Sequence, residues 1–323
     1  MGSLSSAGLF RLGAAVLGMA GVGALVQAWA TRRDERRYPP PGALVDVGGN
    51  RLHLDVRGDG PGPTVVLEAG MGSFSPNWYW VQSELAPALR VVAYDRAGLG
   101  WSERGTAPRD ADTLAVELHT ALQAAGVPGP YVLAGHSFGG LYVRIFAAQY
   151  PDEVAGMVLI DSTGAHLPAS TSAQSWGPDD ILARGSVLAS TSARLGVGRL
   201  FGLAGYGSLP PQSADEVRAK IATSTSLRST IDEFLQATAS EHEAAALTDF
   251  GDKPLVVLTA GSGNDAAWMK AQDQTATLST NSVHRVAQGA THPDLILKQQ
   301  DAALTAQAII DVVSSVRSNQ PLK

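Results

Sequence analysis

The chain has 323 residues, 45% of them hydrophobic and 17% charged, which fits one large α/β domain with an insertion, or two domains, and excludes a disordered chain. A formal net charge of −6, without an extended basic stripe beyond the N-terminal region, argues against nucleic acid as a partner. There is no cysteine, so disulfides, thiolate metal sites and a cysteine nucleophile are ruled out.

Leu12 to Ala30 carries no charge and is rich in Ala, Gly, Val and Leu, with Arg11 before it and Arg32, Arg33, Arg36 and Arg37 after it. Its 19 residues are just enough to span a bilayer as a helix. The same stretch suits a secretory signal, because Ala28-Trp29-Ala30 puts small residues where a signal peptidase cuts. A buried core helix is the third reading, and the glycines make it a poor one. We read residues 1–31 as a membrane anchor, with export after signal cleavage as the alternative. As an anchor, the following arginines would keep the domain on the cytoplasmic side. Residues 32–43, which contain Pro39-Pro40-Pro41-Gly42, then form a stiff linker.

From Leu44 the pattern becomes regular. Leu44–Val47, Gly48-Gly49 and Asn50–Val56 predict a hairpin, with Leu52, Leu54 and Val56 alternating with His53 and Asp55. Thr64–Leu67 and Val91–Tyr94 are continuous apolar runs of the kind buried on both faces of a sheet. Trp78–Leu89 predicts a helix between them, and Asp112–Ala125 another, with Leu114, Leu118 and Leu122 along one stripe. Further strands are expected at Tyr131–Ala134, Gly156–Ile160, Leu255–Leu258 and Val283–Val286, and a last helix at Asp294–Val316. Strands alternating with helices imply a mostly parallel sheet covered on both faces.

Tyr131–His136 runs into Ser137 and then Phe138-Gly139-Gly140-Leu141, from which helical spacing continues to Gln149. A strand turning sharply into a helix with serine at the bend is a nucleophile elbow, and Gly135 and Gly139 flank Ser137 because the bend has no room for side chains. Serine needs a base and a carboxylate to orient that base. His292, in the loop Gly289-Ala290-Thr291-His292-Pro293 after the last strand, is the candidate base. The other histidines are worse placed: His284 lies within a strand, His166 and His242 in the insertion, His53 and His119 before the elbow, and His136 points away from Ser137. Two carboxylates compete to orient His292: Asp161 at the tip of its strand and Asp265 beyond the next one. The expected oxyanion donors are the backbone N–H groups of Phe138 and of Met71 in Glu68-Ala69-Gly70-Met71-Gly72. Residues 162–253 lack comparable strands, are rich in Ala, Ser and Thr, and predict a weakly packed helical cap with segments at Asp215–Ile221 and Ser229–Leu247.

These motifs resemble those of the α/β-hydrolase superfamily: the elbow Gly135-His136-Ser137-Phe138-Gly139-Gly140, the turn Asp95-Arg96-Ala97-Gly98-Leu99-Gly100-Trp101-Ser102, and the His292 loop. The resemblance covers nearly everything from Leu44 onward. It implies an α/β-hydrolase fold with an eight-stranded, mostly parallel sheet, helices on both faces and a helical cap after strand 6. The core would comprise residues 44–161 and 254–323, with the cap at 162–253. It also implies hydrolysis without a cofactor; we expect a small-molecule ester as the substrate and no metal. The chain departs from the family pattern twice. Ala69-Gly70 stands where His-Gly is usual, and Gly261-Ser262-Gly263-Asn264 puts asparagine where the acid is usual, with Asp265 one place late. Some members carry the acid after strand 6, so we favour Asp161 and keep Asp265 as the alternative. The expected activity is a serine hydrolase acting on carboxylic esters through an acyl-enzyme on Ser137. Amide or lactone hydrolysis, or a low-turnover ligand-binding or signalling protein on the same fold, are the alternatives.

Overall fold

The computed structural model describes residues 6–163, 199 and 206–323, with side chains from residue 21 onward. Eight strands form one sheet: β1 (Ala43–Asp46), β2 (Arg51–Arg57), β3 (Thr64–Glu68), β4 (Val91–Asp95), β5 (Tyr131–His136), β6 (Val154–Ile160), β7 (Leu255–Ala260) and β8 (Ser282–Ala287). Their spatial order is β1-β2-β4-β3-β5-β6-β7-β8. The β1–β2 hairpin and the β2–β4 pairing are antiparallel, and every pairing from β4 to β8 is parallel. This is an α/β-hydrolase fold.

The apolar runs are continuous because both faces of the sheet are covered. All five residues of β3 and all six of β5 are buried. Alternate residues then serve opposite cores. Val66, Leu133 and Leu159 pack with Leu114, Leu118 and Leu122 of α3 (Ala111–Ala124) and with Leu141 and Phe146 of α4 (Gly139–Gln149). Val65, Leu67, Val132 and Val158 pack on the other face, with Val81 and Leu85 of α2 (Tyr79–Leu85) and with Ile309 and Val312 of the C-terminal helix.

Local details depart from expectation for identifiable reasons. The helix expected over Trp78–Leu89 is a 3₁₀ turn at Ser75–Trp78 followed by α2, which ends at Leu85: Ala86 keeps helical dihedrals as its cap, and Pro87 beyond it cannot supply an N–H to continue the ladder. The last helix breaks at Lys298, whose φ of −108° and ψ of 122° leave the helical region. Its short first part (Asp294–Leu297) stays with the His292 loop, while the second (Gln299–Ser318) lies along the sheet.

The insert after β6 is helical. Its described part contains α5 (Pro211–Ile221), α6 (Ser224–Leu235) and α7 (Ala237–Ala244), and α6 starts at an N-cap in which Thr223 Oγ1 accepts from Ser226 N–H. This half is well seated: Ala214 and Val217 of α5 close a core cluster with Phe74 and Leu99. Residues 164–198 and 200–205, including His166, lie outside the described residues.

At the N-terminus a single helix, α1 (Ser6–Arg37), runs through the boundary expected between anchor and linker. Gln27, Ala30 and Asp34 are buried against the domain; Gln27 Nε2 donates to Ala222 O at 3.3 Å, and Arg199 bonds both Gln27 and Asp34 at 2.8 Å. Among the described residues, no helix is long and apolar enough to cross a membrane.

Candidate active site

The elbow strand β5 delivers Ser137 to the carboxyl end of the sheet, where its φ of 56° lies in the left-handed region. Such a conformation costs a non-glycine residue of order 1–3 kcal/mol and persists only where the surroundings enforce it. The surroundings here are backbone. A Cβ on Gly135 would lie 2.5 Å from Gly139 O, and one on Gly139 would lie 2.4 Å from Glu68 O. Ser137 N–H donates to Ile160 O and Thr163 N–H donates to Ser137 O, which ties the bend to the end of β6.

The structure brings Asp161, and not Asp265, to His292. Asp161 Oδ2 lies 2.6 Å from His292 Nδ1. The other carboxylate oxygen accepts from Ala260 N–H at 3.2 Å, Asn264 Nδ2 at 2.9 Å and Trp268 Nε1 at 2.9 Å. Burial pushes this carboxyl up, but the hydrogen bonds from His292, Trp268 and Ala260 outweigh it and hold the group below its ordinary value. With Asp161 held as the anion, the hydrogen bond between them is one that His292 Nδ1–H donates to Asp161 Oδ2. Asp265 instead caps helix α8 (Ala266–Ala276), its Oδ1 accepting from Trp268 N–H at 2.8 Å. Asn264, the residue in the family's usual acid position, donates to the acid that moved.

His292 comes close to the elbow. Its ring lies 4.5 Å, centroid to centroid, from that of His136, whose Nε2 is 3.1 Å from His292 O. His136 is buried against the edge of Trp78, and burial with the neighbouring His292 lowers its pKa to about 3. It is neutral near pH 7, so its Nε2 carries the proton that the carbonyl accepts. His284, within β8, contacts Asp273 of α8 and Thr259 of β7. His242 lies on α7 of the cap, and His119 stacks on Tyr150.

Another Ser–His–Asp set is wired for support. His53 Nδ1 meets Asp95 Oδ2 at 3.0 Å, but His53 Nε2 accepts from Gly42 N–H at 3.1 Å, and Ser102 Oγ donates to the Asp95 carbonyl. The imidazole has no nitrogen left for the serine. This set pins the turn after β4 to the hairpin.

The expected oxyanion donors, the N–H groups of Phe138 and Met71, make no hydrogen bond among the described residues. The Met71 loop abuts the elbow: a Cβ on Gly70 would lie 3.1 Å from Ser137 Cβ. Behind the loop sits a fully buried cluster. Arg96 donates to Glu68 at 2.7 Å, to Glu233 of α6 at 2.7 and 2.9 Å, to Ala69 O at 2.7 Å and to Gly70 O at 2.8 Å. Burial alone would lower the pKa of this guanidinium; Glu233 and Glu68 hold it well above its usual value. Burial raises Glu68 to about 7 despite Arg96 and the hydroxyl of Tyr94. The motif containing Arg96 was visible in the sequence, but its partners were not, because Glu233 lies 137 positions away.

A family model described as the alpha/beta hydrolase fold matches residues 63–299. The Bacillus subtilis protein YqjL is 35% identical over 115 residues, which covers 36% of this chain and 46% of that protein. Among solved structures, Cfl2 from Burkholderia cenocepacia superposes with a TM-score of 0.66 at 22% identity, covering 84% of this chain and 94% of Cfl2. A thermophilic esterase from Thermogutta terrifontis gives 0.60 at 21% identity, covering 85% of this chain and 98% of the esterase. At these identities the structural likeness speaks for the fold alone. The chain spans about half the length, or less, of the curated relatives it matches.

Proposed function

The chain belongs to the alpha/beta hydrolase family, and from that premise we propose that it is a serine hydrolase cleaving carboxylic esters. Ser137 Oγ attacks the acyl carbon while His292 Nε2 takes its proton. The carbonyl oxygen, now negative, is held by the N–H groups of Phe138 and Met71, each contributing roughly 3–4 kcal/mol in the transition state. His292 returns the proton to the leaving alcohol, an acyl-enzyme remains on Ser137, and water activated by His292 releases the acid. One observation carries this reading: Asp161 Oδ2 lies 2.6 Å from His292 Nδ1, and the His292 ring packs 4.5 Å from that of His136, the residue next to the strained Ser137. A fluorophosphonate probe tests it. Labelling of the native chain that vanishes in Ser137→Ala and His292→Ala supports the hydrolase, whereas folded protein that takes no label points to a ligand-binding role for the same fold.

We infer also that α1 holds the domain against an anionic membrane surface. Val22, Leu25, Val26 and Trp29 repeat at helical spacing on the face turned away from the domain, with Leu25 73% and Trp29 63% exposed. Arg32, Arg33, Arg36 and Arg37 follow directly. An apolar stripe with an interfacial tryptophan and a basic cluster matches the chemistry of lipid headgroups over acyl chains.

A further inference from the structure

The oxyanion loop is not held by its own turn alone. Gly70 O accepts from Ser73 N–H at 3.0 Å and from Arg96 Nη2 at 2.8 Å, and Ala69 O accepts from Arg96 Nη1 at 2.7 Å. A trans peptide is planar, with its C=O and N–H pointing in opposite directions. Anchoring the Gly70 carbonyl on the guanidinium therefore turns the Met71 N–H away from Arg96. The guanidinium is also held from the cap side. Glu233, on α6, takes two of its N–H groups, and the second oxygen of Glu233 also accepts from Gly72 N–H at 3.2 Å. The same face of α6 touches the loop and the neighbouring turn at two further points. A Cβ on Gly72 would lie 2.8 Å from Thr230 Cγ2, and one on Gly98 would lie 2.0 Å from Ser229 Oγ. Arg96 also lies over the ring of Tyr142, at 5.0 Å from its centroid, on the helix that leaves the elbow.

We propose that Glu233 and Arg96 are positioning residues which make the oxyanion hole dependent on the cap: with α6 seated, Arg96 aims the Met71 N–H, and without Glu233 that aim is lost. The proposal rests on the hydrolase reading and deepens it. The cap would then do more than cover the substrate, because the same helix that closes over the loop completes the charge-stabilising half of the site. The elbow serine and the His292–Asp161 pair do not use this connection.

The test compares 4-nitrophenyl benzoate with its thionobenzoate counterpart on the full chain, for the native protein, Glu233→Gln and Arg96→Lys. Sulfur is a weak hydrogen-bond acceptor, so the preference for the oxygen ester reports how well the N–H groups hold the oxyanion. A ratio of two substrates on one sample is independent of how much of the protein is folded, so a partly destabilised variant still gives a result. We expect kcat on the oxygen ester to fall roughly tenfold to a hundredfold in both variants. KM should change little, and the oxygen-over-sulfur preference should fall by a similar factor. Thr230→Ala, which touches the loop but leaves both carboxylates in place, should keep the native preference. Rates that fall while the preference stays native, or rates that do not fall, would overturn the proposal. Native protein that turns over neither ester would instead overturn the hydrolase reading beneath it.

Discussion

At the residue scale, the decisive choice is between two aspartates 104 positions apart in the chain, Asp161 and Asp265. Sequence order allows either, since both lie between Ser137 and His292. Their hydrogen bonds separate them: Asp161 spends both oxygens on the site, and Asp265 spends one on a helix start. Asp161→Asn should lower kcat on a 4-nitrophenyl ester by about 10³–10⁴-fold, since an amide can neither fix the His292 tautomer nor stabilise an imidazolium. Asp265→Ala should leave turnover nearly native and cost about 1 kcal/mol of stability, read from a urea titration. His136 gives a pH signature. Its pKa in the fold, about 3, lies below the ordinary 6.5, so the unfolded chain takes up a proton first as pH falls. Its contribution is complete above pH 6.5 and is lost as pH falls toward 3. Compared with His136→Gln, the native chain should lose about 1.4 kcal/mol per pH unit over that window. Using the difference between the two proteins removes the opposing effect of Glu68, whose raised pKa makes stability fall as pH rises from 4.5 to about 7.

At the scale of elements, the strands and most helices were legible because burial on both faces of a parallel sheet leaves continuous apolar runs, and half-buried helices leave stripes such as Leu114, Leu118 and Leu122. The cap was legible only as a gap in that pattern. Its small, polar residues suggested weak packing, yet α6 docks with Ser229 and Thr230 against backbone that lacks a Cβ. Small residues there permit close approach, and composition does not distinguish close approach from looseness. Gly98 shows the consequence. With a φ of +79° and Ser229 Oγ 2.0 Å from where a Cβ would sit, Gly98→Ala should cost at least ~1–3 kcal/mol. Combining it with Ser229→Gly should recover the steric part and leave the backbone strain, so melting of the double variant should fall between those of the native chain and Gly98→Ala.

For the whole molecule, the exposed stripe on α1 faces away from the domain while Gln27, Ala30 and Asp34 face toward it. Contact on one side and an apolar surface with arginines on the other would seat the catalytic domain on a bilayer without burying its sheet. The full chain should co-sediment with vesicles containing anionic lipid, less so at high salt. Replacing Leu25, Val26 and Trp29 with serine should sharply reduce that binding while ester turnover in solution persists. Equal sedimentation of the triple variant would refute the surface reading.

By itself the sequence determined what is local: the strands from their apolar runs, the elbow from glycines at fixed offsets around Ser137, and the loop that carries His292. Such features depend on neighbours within a few positions, so composition and spacing record them. Which carboxylate meets His292, and how Glu233 of the cap reaches the loop at Gly72, were decided only by the tertiary structure. Those two contacts join residues 131 and 161 positions apart, and their geometry depends on where the sheet brings its strand ends together.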